Sequence, residues 1–277
     1  MKAQWKHPDG KGGFYVVHHE TKADAVKYSD TTVAAVLDKT DIPSASAFMK
    51  SLLAAEDAFA AREILKVGKE RVFDETGKRW APTSIMISPT VKKFGESSLY
   101  LNGSAYLRQM NGITLGGKDF TIAGWIYLSA VNNSSQYFIG WGNDADNRFN
   151  VGISSTGILR WFFRIDGTSI FNDESSESCS AKEWMHVEID YRNSDNKIFL
   201  FLNGIKADER TVTGLSTART MVFHIGQHTT KSDYNFKGYV DEIFITEELL
   251  HDADFTPPTA PYEFDSDTTV ALLHFED

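Results

Sequence analysis

The stretch DFTIAGWIYL, residues 119–128, predicts a β-strand that is covered by other parts of the protein on both of its faces. Successive side chains of a strand point to opposite faces, so the stretch divides into two sets. One face carries Phe120, Ile122, Ile126 and Leu128. The other face carries Thr121, Ala123, Trp125 and Tyr127. Because both sets are mostly apolar, the strand is expected in the middle of a two-sheet sandwich.

Further apolar strands follow at short intervals along the chain. The clearest are ILRWFFRI (158–165), KIFLFL (197–202) and MVFHI (221–225). Asn203 and Gly204, directly after the second of these, are the residue pair that a tight hairpin turn favours. Many short strands separated by turns are typical of an antiparallel sandwich. The sequence therefore predicts a mainly β fold, an antiparallel two-sheet jelly-roll sandwich, over residues 71–277.

Residues 1–70 differ from the rest of the chain in composition. Short amphipathic helices are predicted at about residues 44–66, with Phe48, Leu52 and Leu53 on one face. Helices this short need a partner surface. That surface is either the β domain of the same chain or other copies of the chain, and the sequence leaves both open. Residues 1–70 are predicted to be an N-terminal attachment and oligomerisation region.

Charge and composition exclude several classes of partner. The 277-residue chain has a formal net charge of −10, and the acidic excess lies in residues 74–277. An acidic body has no electrostatic attraction to nucleic acid or to anionic lipid. No apolar run of about 18 residues is present, so no membrane insertion is expected. The N-terminus has no apolar signal segment, and the single cysteine, Cys179, excludes an internal disulfide framework.

Several segments occur in an order that resembles a known family. They include KKFGESSLYLNGSAYLRQ (92–109), EWMHVEIDYR (183–192), KIFLFLNGIK (197–206) and FKGYVDEIFIT (236–246). Together they resemble the concanavalin A-like, laminin-G-like jelly-roll domains over about 200 residues. In that family a strand similar to ALLHFED often opens the domain, whereas here it is the last strand. The resemblance implies that this C-terminal strand fills the opening strand's place or pairs beside it.

Two other segments resemble parts of bacteriophage tail proteins. These are FMKSLLAAEDAFAAREILKVG (48–68) and FTPPTAPY (255–262). The resemblance implies a non-enzymatic, lectin-like host-recognition protein of a phage or prophage tail fibre, located in the virion tail. Its expected partners are a cell-surface glycan or envelope receptor and other tail proteins. It also implies a homotrimer, because tail fibres assemble from parallel chains.

The adjacent acids Asp241 and Glu242 lie in the middle of an apolar strand. Strand alternation predicts that they point to opposite faces, so they are not expected to form a catalytic pair. The resemblance implies that Asp241 and Asp74 anchor the sandwich or lie near a calcium ion, which needs several hard oxygen ligands. Hydrogen bonds from these acids to backbone N–H groups are the alternative. No other cofactor is expected.

Two polar loops are the predicted ligand-binding site. The first follows Trp141 in GWGNDADNRFN (140–150), and the second is GQHTTKSDYNF (226–236). Sugar binding favours an aromatic platform surrounded by directional polar side chains. The predicted ligand-binding residues are Trp141, Asn143, Asp144, Asn147, Arg148, His228, Asp233 and Tyr234. The alternative for the first loop is a solvated turn built by Asn and Asp.

Two other functions remain open at the level of sequence. Glu188 and Asp190 share one strand face, as the carboxylates of an endo-glycanase on this fold would. The third carboxylate of such a motif is absent, because Tyr191 and Arg192 stand in its place. The remaining alternative is a structural fibre spacer that binds no specific ligand.

Overall fold

The chain divides into two compact units, Met1–Lys69 and Glu70–Asp277. Its structure is a computed structural model that describes residues 72–132 and 134–276, together with the backbone of four short strands nearer the N-terminus. Strand β1 (Ala3–Lys6) pairs with β2 (Phe14–Val17), and β3 (Lys27–Tyr28) pairs with β4 (Thr31–Thr32). The helices predicted at residues 44–66 lie outside the described residues.

The second unit is built almost entirely from strands. In chain order they are β5 (Ala81–Thr83), β6 (Met86–Ser88), β7 (Ser98–Asn102), β8 (Tyr106–Leu115), β9 (Phe120–Leu128), β10 (Gln136–Gly142), β11 (Arg148–Ile153), β12 (Ile158–Ile165), β13 (Thr168–Ser178), β14 (Trp184–Arg192), β15 (Lys197–Leu202), β16 (Ile205–Thr211), β17 (Arg219–Ile225), β18 (Lys237–Thr246) and β19 (Thr269–Leu273). A single helical turn, Ser232–Tyr234, precedes β18. None of the helical segments in the described part of the chain has the length and apolar character needed to cross a bilayer.

These strands form two antiparallel sheets. Sheet 1 has the order β13-β12-β11-β10-β17-β8-β5. Sheet 2 has the order β16-β15-β14-β9-β18-β7-β6, and β19 also pairs with β18. The stretch that predicted a strand covered on both faces is β9, which lies between β14 and β18 in sheet 2. The predicted fold class, a mainly β antiparallel two-sheet sandwich, is therefore confirmed.

One continuous apolar core lies between the two sheets. Sheet 1 contributes Trp141, Trp161 and Phe163, and sheet 2 contributes Ile189 and Tyr191. Each of these side chains is buried, with at most 1% of its surface exposed to solvent. Fully burying one large apolar side chain contributes about 1.5–3 kcal/mol, so the aromatic residues of this core account for a large part of the stability.

A β-bulge in β18 changes the predicted directions of two acidic side chains. Val240 and Ile243 both belong to the core, with Asp241 and Glu242 between them. The register with β9 shifts between Asp241 and Phe244, and Glu242 has a φ of 53°. A bulge inserts one residue into the alternation. Asp241 and Glu242 therefore both lie on the outer face of sheet 2, and the expectation that they point to opposite faces is wrong.

The C-terminal strand completes an edge of sheet 2. β7 pairs with residues 237–240 of β18, and β19 pairs with residues 243–246. Both strands lie on the side of β18 that β9 does not occupy. The amide of Glu75 donates to the carbonyl of Leu272 at 3.0 Å, which brings the start of the domain to its last strand. The C-terminal strand thus pairs within the sandwich, as predicted.

Candidate functional site

An open recess of about 240 Å³ lies on the outer face of sheet 1, where polar and aromatic side chains converge. We call it the arginine pocket. It is lined by Ser135, Tyr137, Arg148, Arg160, Phe162, Asn172, His228, Lys231 and Tyr234. No carboxylate is among these lining residues. The pocket therefore concentrates positive charge on a protein whose net charge is −10.

Strand alternation places the sheet residues of the pocket. In β12, Trp161 and Phe163 point into the core, so Arg160 and Phe162 point outward. In the neighbouring β11, Arg148 points outward in the same way, before Phe149 in the core. Each outward side chain is half-buried because its neighbours on the same face cover its stem.

Two glycines on the outer face of sheet 1 leave room for the wall of the pocket. A Cβ at Gly152 would lie 2.7 Å from the ring of Tyr137, so that ring rests where a side chain would otherwise stand. A Cβ at Gly140 would lie 2.9 Å from the side chain of Thr229. The missing side chains therefore let Tyr137 and the 226–236 loop pack directly on the sheet.

Side-chain hydrogen bonds fasten the 226–236 loop to the sheet. The Thr229 amide donates to Asn150 Oδ1 at 2.9 Å, and Asn150 Nδ2 donates back to Thr229 Oγ1 at 3.1 Å. Arg148 Nη1 donates to Thr230 Oγ1 at 3.0 Å. The Thr230 amide donates to His228 Nδ1 at 3.1 Å. These contacts hold the loop that carries His228, Lys231 and Tyr234 against one side of the pocket.

Each of the three cations in the pocket lies over an aromatic ring. The guanidinium of Arg148 is 4.7 Å from the ring centroid of Phe162. That of Arg160 is 5.9 Å from the ring of Tyr137. Lys231 Nζ is 5.3 Å from the ring of Tyr234. Cations within about 6 Å of a ring face are attracted to its quadrupole, so these pairs hold the charged groups in place without neutralising them.

The positive charge of the pocket acts on the histidine at its edge. Burial, followed by the charges of Arg148 and Lys231, lowers the pKa of His228 to about 4. Burial, followed by the charge of Arg164, also lowers the pKa of Arg148. His228 is therefore neutral at physiological pH, and its Nδ1 accepts a hydrogen bond.

The structure brings three of the predicted ligand-binding residues together. Arg148, His228 and Tyr234 line the arginine pocket. Trp141 does not, because its side chain is only 1% exposed and its Nε1 donates to the Ile113 carbonyl at 2.9 Å. We correct that expectation: Trp141 alternates into the core and offers no stacking surface to a ligand.

The other predicted residues of the first loop build a turn. Asp144 Oδ1 accepts the amides of Asp146 and Asn147 at 2.8 Å each. Asn147 Oδ1 accepts the amide of Asp166 at 3.1 Å, and Asn143 Oδ1 accepts that of Val222 at 3.0 Å. This is the turn that the sequence left as the alternative. Asn143 and Asn147 also line a second recess of about 300 Å³, which lies apart from the arginine pocket.

Asp233, the remaining predicted residue, is exposed in the helical turn Ser232–Tyr234 and does not line the pocket. Sequence reasoning also missed several pocket residues, namely Ser135, Tyr137, Arg160, Phe162 and Asn172. The signal for two of them was present in ILRWFFRI. The strand alternation of this segment puts Arg160 and Phe162 on the face opposite the core. The sequence alone could therefore have predicted an arginine and an aromatic residue side by side on the outer face.

Residues 95–254 match the family described as the concanavalin A-like lectin/glucanases superfamily. The chain belongs to this superfamily. None of the curated proteins compared with the chain matches it. The description of the superfamily names both lectins and glucanases.

Three solved structures illustrate the likeness. A pentraxin from Limulus polyphemus has 13% identity and a TM-score of 0.43, with 61% of this chain and 88% of that chain covered. Domain 4 of the arabinanase AbnA from Geobacillus stearothermophilus, in complex with arabinotriose, has 15% identity and a TM-score of 0.48, with 60% of this chain and 81% of that chain covered. The CBM40 of the Ruminococcus gnavus IT-sialidase, bound to α2,3 sialyllactose, has 17% identity and a TM-score of 0.43, with 49% of this chain and 78% of that chain covered. At these levels of similarity no function passes to this chain.

The outer face of sheet 2 carries a buried polar cluster under a covering segment. We call that segment, residues 247–268, the strap. Glu188 and Asp190 of β14 are at most 1% exposed. Asp190 Oδ1 accepts the amides of Leu250 and His251 at 3.1 and 3.2 Å. Glu188 Oε1 lies 2.5 Å from His251 Nδ1.

Two further contacts hold the strap near its end. The Tyr262 amide donates to Glu242 Oε2 at 2.9 Å, and the Tyr262 hydroxyl lies 2.7 Å from His186 Nε2. Glu242 Oε1 also bonds His274 Nδ1 at 2.7 Å. The strap therefore seals the carboxylates of sheet 2 against solvent. A polysaccharide has no access to the Glu188 and Asp190 pair while the strap is in place.

Burial controls the ionisation of this cluster. Burial, with Asp190 beside it, raises the pKa of Glu188 well above its usual range. Burial also raises the pKa of Asp241 to about 7 and lowers that of His186 to about 3. The raised pKa keeps the Glu188 carboxyl protonated at neutral pH, and His186 is uncharged.

The predicted calcium ligands have other partners. Asp74 Oδ1 accepts the Thr76 amide at 2.9 Å, and its Oδ2 accepts Trp80 Nε1 at 2.7 Å. Asp241 Oδ2 accepts the Lys93 amide at 2.9 Å, and its Oδ1 accepts that of Glu242 at 3.0 Å. This is the hydrogen-bonding role that the sequence left as the alternative to calcium. The calcium hypothesis stays a prediction.

A different group has the geometry that a metal ion would need. Among the described residues, Glu188, Asp190 and His251 place one ligand atom each within 4.8 Å of one another. Two carboxylates and an imidazole suit a divalent cation such as Zn²⁺ or Mn²⁺. In this structure His251 Nδ1 lies 2.5 Å from Glu188 Oε1, and Asp190 Oδ1 accepts the Leu250 amide. Asp190 Oδ2 is buried without a hydrogen-bond partner among the described residues.

Proposed function

We propose that the protein is a non-enzymatic glycan-binding protein and that the arginine pocket is its binding site. The observation that carries this proposal is an open recess in which the rings of Tyr137, Phe162 and Tyr234 stand beside polar side chains. Sugars present apolar C–H faces and directional hydroxyl groups, so such a combination suits them. Membership of a superfamily that includes lectins supports the same reading.

The proposed wider role is host recognition by a phage or prophage tail fibre, with a cell-surface glycan as the receptor. Support comes from the resemblance of residues 48–68 and 255–262 to phage tail proteins. The proposal includes a homotrimer assembled through residues 1–70, contacts with other tail proteins and location in the virion tail. Three linked sites would raise the avidity of a weak sugar contact.

Sedimentation of the full chain at micromolar concentration tests the assembly. A mass of three chains is expected, and a single-chain mass would contradict the homotrimer. Detection of the protein in purified virions, or of its gene among tail genes, tests the location. Absence from both would leave the glycan-binding proposal in place and remove the tail-fibre proposal.

Binding of the full chain to a broad glycan array tests the proposed function. Phe162→Ala and Tyr234→Ala are expected to weaken binding roughly 3- to 10-fold, since each removes an aromatic contact. Phe264→Ala is the matched control, because Phe264 is 47% exposed and lies on the strap, outside the pocket. Equal binding by all variants would contradict the pocket as the site.

Two further outcomes separate the alternatives. Release of reducing ends from a bound polysaccharide would show an endo-glycanase, and none is expected because the Glu188 and Asp190 pair is sealed. Failure of the folded chain to bind any glycan would favour a spacer domain without a specific ligand.

A further inference from the structure

We propose that the saccharide held by the arginine pocket carries an anionic group, a carboxylate, sulfate or phosphate, which Arg148 and Arg160 bind together. This inference rests on the proposed glycan-binding function and adds the chemical class of its ligand. The inference is argued from the positions of the charged side chains in and beside the pocket.

The first observation is that these two arginines lack acidic partners. Other arginines of the domain form ion pairs, as Arg192 does with Asp252 at 2.5 Å and Arg219 does with Asp166 at 2.8 Å. Among the described residues, neither Arg148 nor Arg160 has a carboxylate oxygen within 4.0 Å. An acidic protein thus leaves two half-buried guanidinium groups at the same recess with no carboxylate of the described residues at ion-pair distance.

The second observation concerns the hydrogen bonds that these arginines do make. Arg148 donates to the hydroxyl of Thr230, and Arg160 donates to the side chains of Ser135 and Asn172 at 3.3 and 2.8 Å. All of these acceptors are neutral. The Nε–H of each arginine is buried and has no acceptor in the described part of the chain. These Nε–H groups are out of a ligand's reach, but the terminal nitrogens of both arginines keep N–H groups that no protein acceptor uses. Two such groups of one guanidinium can bind an oxyanion through parallel hydrogen bonds.

The third observation is that Arg148 faces a second positive charge across a pair of strands. Arg148 stands directly opposite Arg164 in the pairing of β11 with β12. Like charges directly opposite on a sheet are destabilising. Asp146, 3.5 Å from Arg164, offsets part of this repulsion. Glu174 stands opposite Arg160 in register, but it is exposed and makes no ion pair with any residue that the structure describes. A bound anion would offset the remainder, which favours an anionic ligand over a neutral one.

The neighbouring groups favour a saccharide over a bare ion. Phe162 stands next to both arginines on the outer face, since it lies two residues from Arg160 and its ring carries the Arg148 guanidinium. Tyr137 and Tyr234 add two further rings. A volume of about 240 Å³ exceeds that of an inorganic anion and suits one sugar residue with its substituent. The rings would contact the sugar while the arginines bind its charged group.

An array in which each acidic glycan is paired with its carboxyl-reduced or desulfated form tests the inference. The full chain is expected to bind acidic members and to lose at least 10-fold in affinity when the charge is removed. Arg148→Met and Arg160→Met are each expected to weaken binding about 10- to 100-fold, because a charge-assisted hydrogen bond is lost while the aliphatic stem remains. Arg160→Lys should recover only part of the loss, since lysine lacks the planar fork.

Arg164→Met is the matched control. It removes the same charge from the same face of β12, but its guanidinium bonds the Gly167 carbonyl and it does not line the pocket. It is expected to change affinity less than 3-fold. Competition by free glucuronate, sulfate and phosphate at equal ionic strength then identifies which anion the arginines prefer. Thermal melting checks that each variant is folded.

The outcomes separate this inference from the proposed function. If neutral and acidic members bind equally and the Arg160→Met variant keeps its affinity, the anionic ligand is wrong while glycan binding stands. If acidic glycans bind but the arginine variants are unaffected, the assignment to this pocket is wrong. If the folded chain binds no member of the array, the proposed function fails and the inference fails with it.

Discussion

Strand alternation directs charged side chains to the outer face of each sheet of the sandwich. On one sheet these side chains border an open recess, and on the other they are buried. On sheet 1, Arg148 and Arg160 border an open recess. On sheet 2, Glu188 and Asp190 are sealed under the strap. The difference lies in the covering segment: the 226–236 loop forms one wall of a pocket, whereas the strap closes over its sheet. A charged strand residue is therefore a binding candidate on one face and an internal hydrogen-bonding group on the other.

This comparison also separates two kinds of aromatic residue. Trp141 and Phe162 lie on neighbouring parts of sheet 1, but Trp141 belongs to the core and Phe162 to the pocket. Their substitution should therefore have effects of different kinds. The predictions below run from the largest expected effect on stability to the smallest.

Trp141→Ala is expected to lower the free energy of unfolding by about 3–5 kcal/mol, because it opens a cavity in the core and removes the donor to the Ile113 carbonyl. Denaturant unfolding measures the change. Phe162→Ala, on the outer face, is the comparison and should cost much less. A Trp141→Ala variant as stable as the wild type would contradict the burial of Trp141 in the core and would make it a candidate ligand-binding residue again.

Asp190→Ala is expected to lower the free energy of unfolding by about 2–4 kcal/mol, because the buried Thr121 hydroxyl and the amides of Leu250 and His251 lose their acceptor. Asp252→Ala on the same strap removes a surface ion pair with Arg192 and should cost less than about 1 kcal/mol. Urea unfolding of the two variants compares them. Equal small losses would mean that the strap does not depend on the buried carboxylate.

Glu188→Gln should change how stability depends on pH. The raised pKa of Glu188 means that the folded protein keeps a proton that the unfolded chain has lost, so stability falls as the pH rises toward the folded pKa. Between pH 7.5 and 8.5 the wild type should lose up to about 1.4 kcal/mol per pH unit through this group, and the variant should not.

The choice of window isolates Glu188 from the other titrating groups that face it. His186, with a pKa of about 3, and His251, whose pKa is also lowered, are neutral in both states above pH 7.5. Asp190, with a pKa raised to about 6, and Asp241, with a pKa of about 7, have largely ionised. Urea titrations in EDTA, which prevents a metal from competing with the proton, give the two slopes. Identical slopes for variant and wild type would mean that Glu188 is ionised in the folded state.

Arg148→Met and Arg160→Met are expected to change the free energy of unfolding by less than about 0.5 kcal/mol, since each guanidinium borders an open recess and bonds neutral groups only, and the methionine keeps the half-buried stem. Differential scanning calorimetry measures the shift in Tm. A loss of several degrees would indicate that these arginines support the fold, as the sealed carboxylates do, and would weaken their role in binding.

EDTA is expected to leave Tm unchanged, because the carboxylate oxygens of Asp74 and Asp241 already accept hydrogen bonds. A calcium ion at these acids would instead stabilise the folded state by mass action. Melting with EDTA and with excess Ca²⁺ distinguishes the two. A Tm that rises with Ca²⁺ and falls with EDTA would support the calcium prediction.

The sequence by itself determined the β sandwich, because apolar alternation is a local property that each strand displays along its own length. The same alternation already separated Arg160 and Phe162 from Trp161 and Phe163. It failed at β18, where a bulge puts Asp241 and Glu242 on one face. A bulge depends on the partner strand, and no residue within YVDEIFIT marks it.

Only the tertiary structure decided which outer face is open. Asn150 meets Thr229 across 79 positions of sequence, and Asp190 meets the His251 amide across 61. Contacts over such distances depend on how the whole chain folds, whereas strand alternation depends on adjacent residues. The strand pattern could therefore identify which side chains point outward, but the burial of Glu188 and the exposure of the arginine pocket follow from segments that return to the sheets from far along the chain.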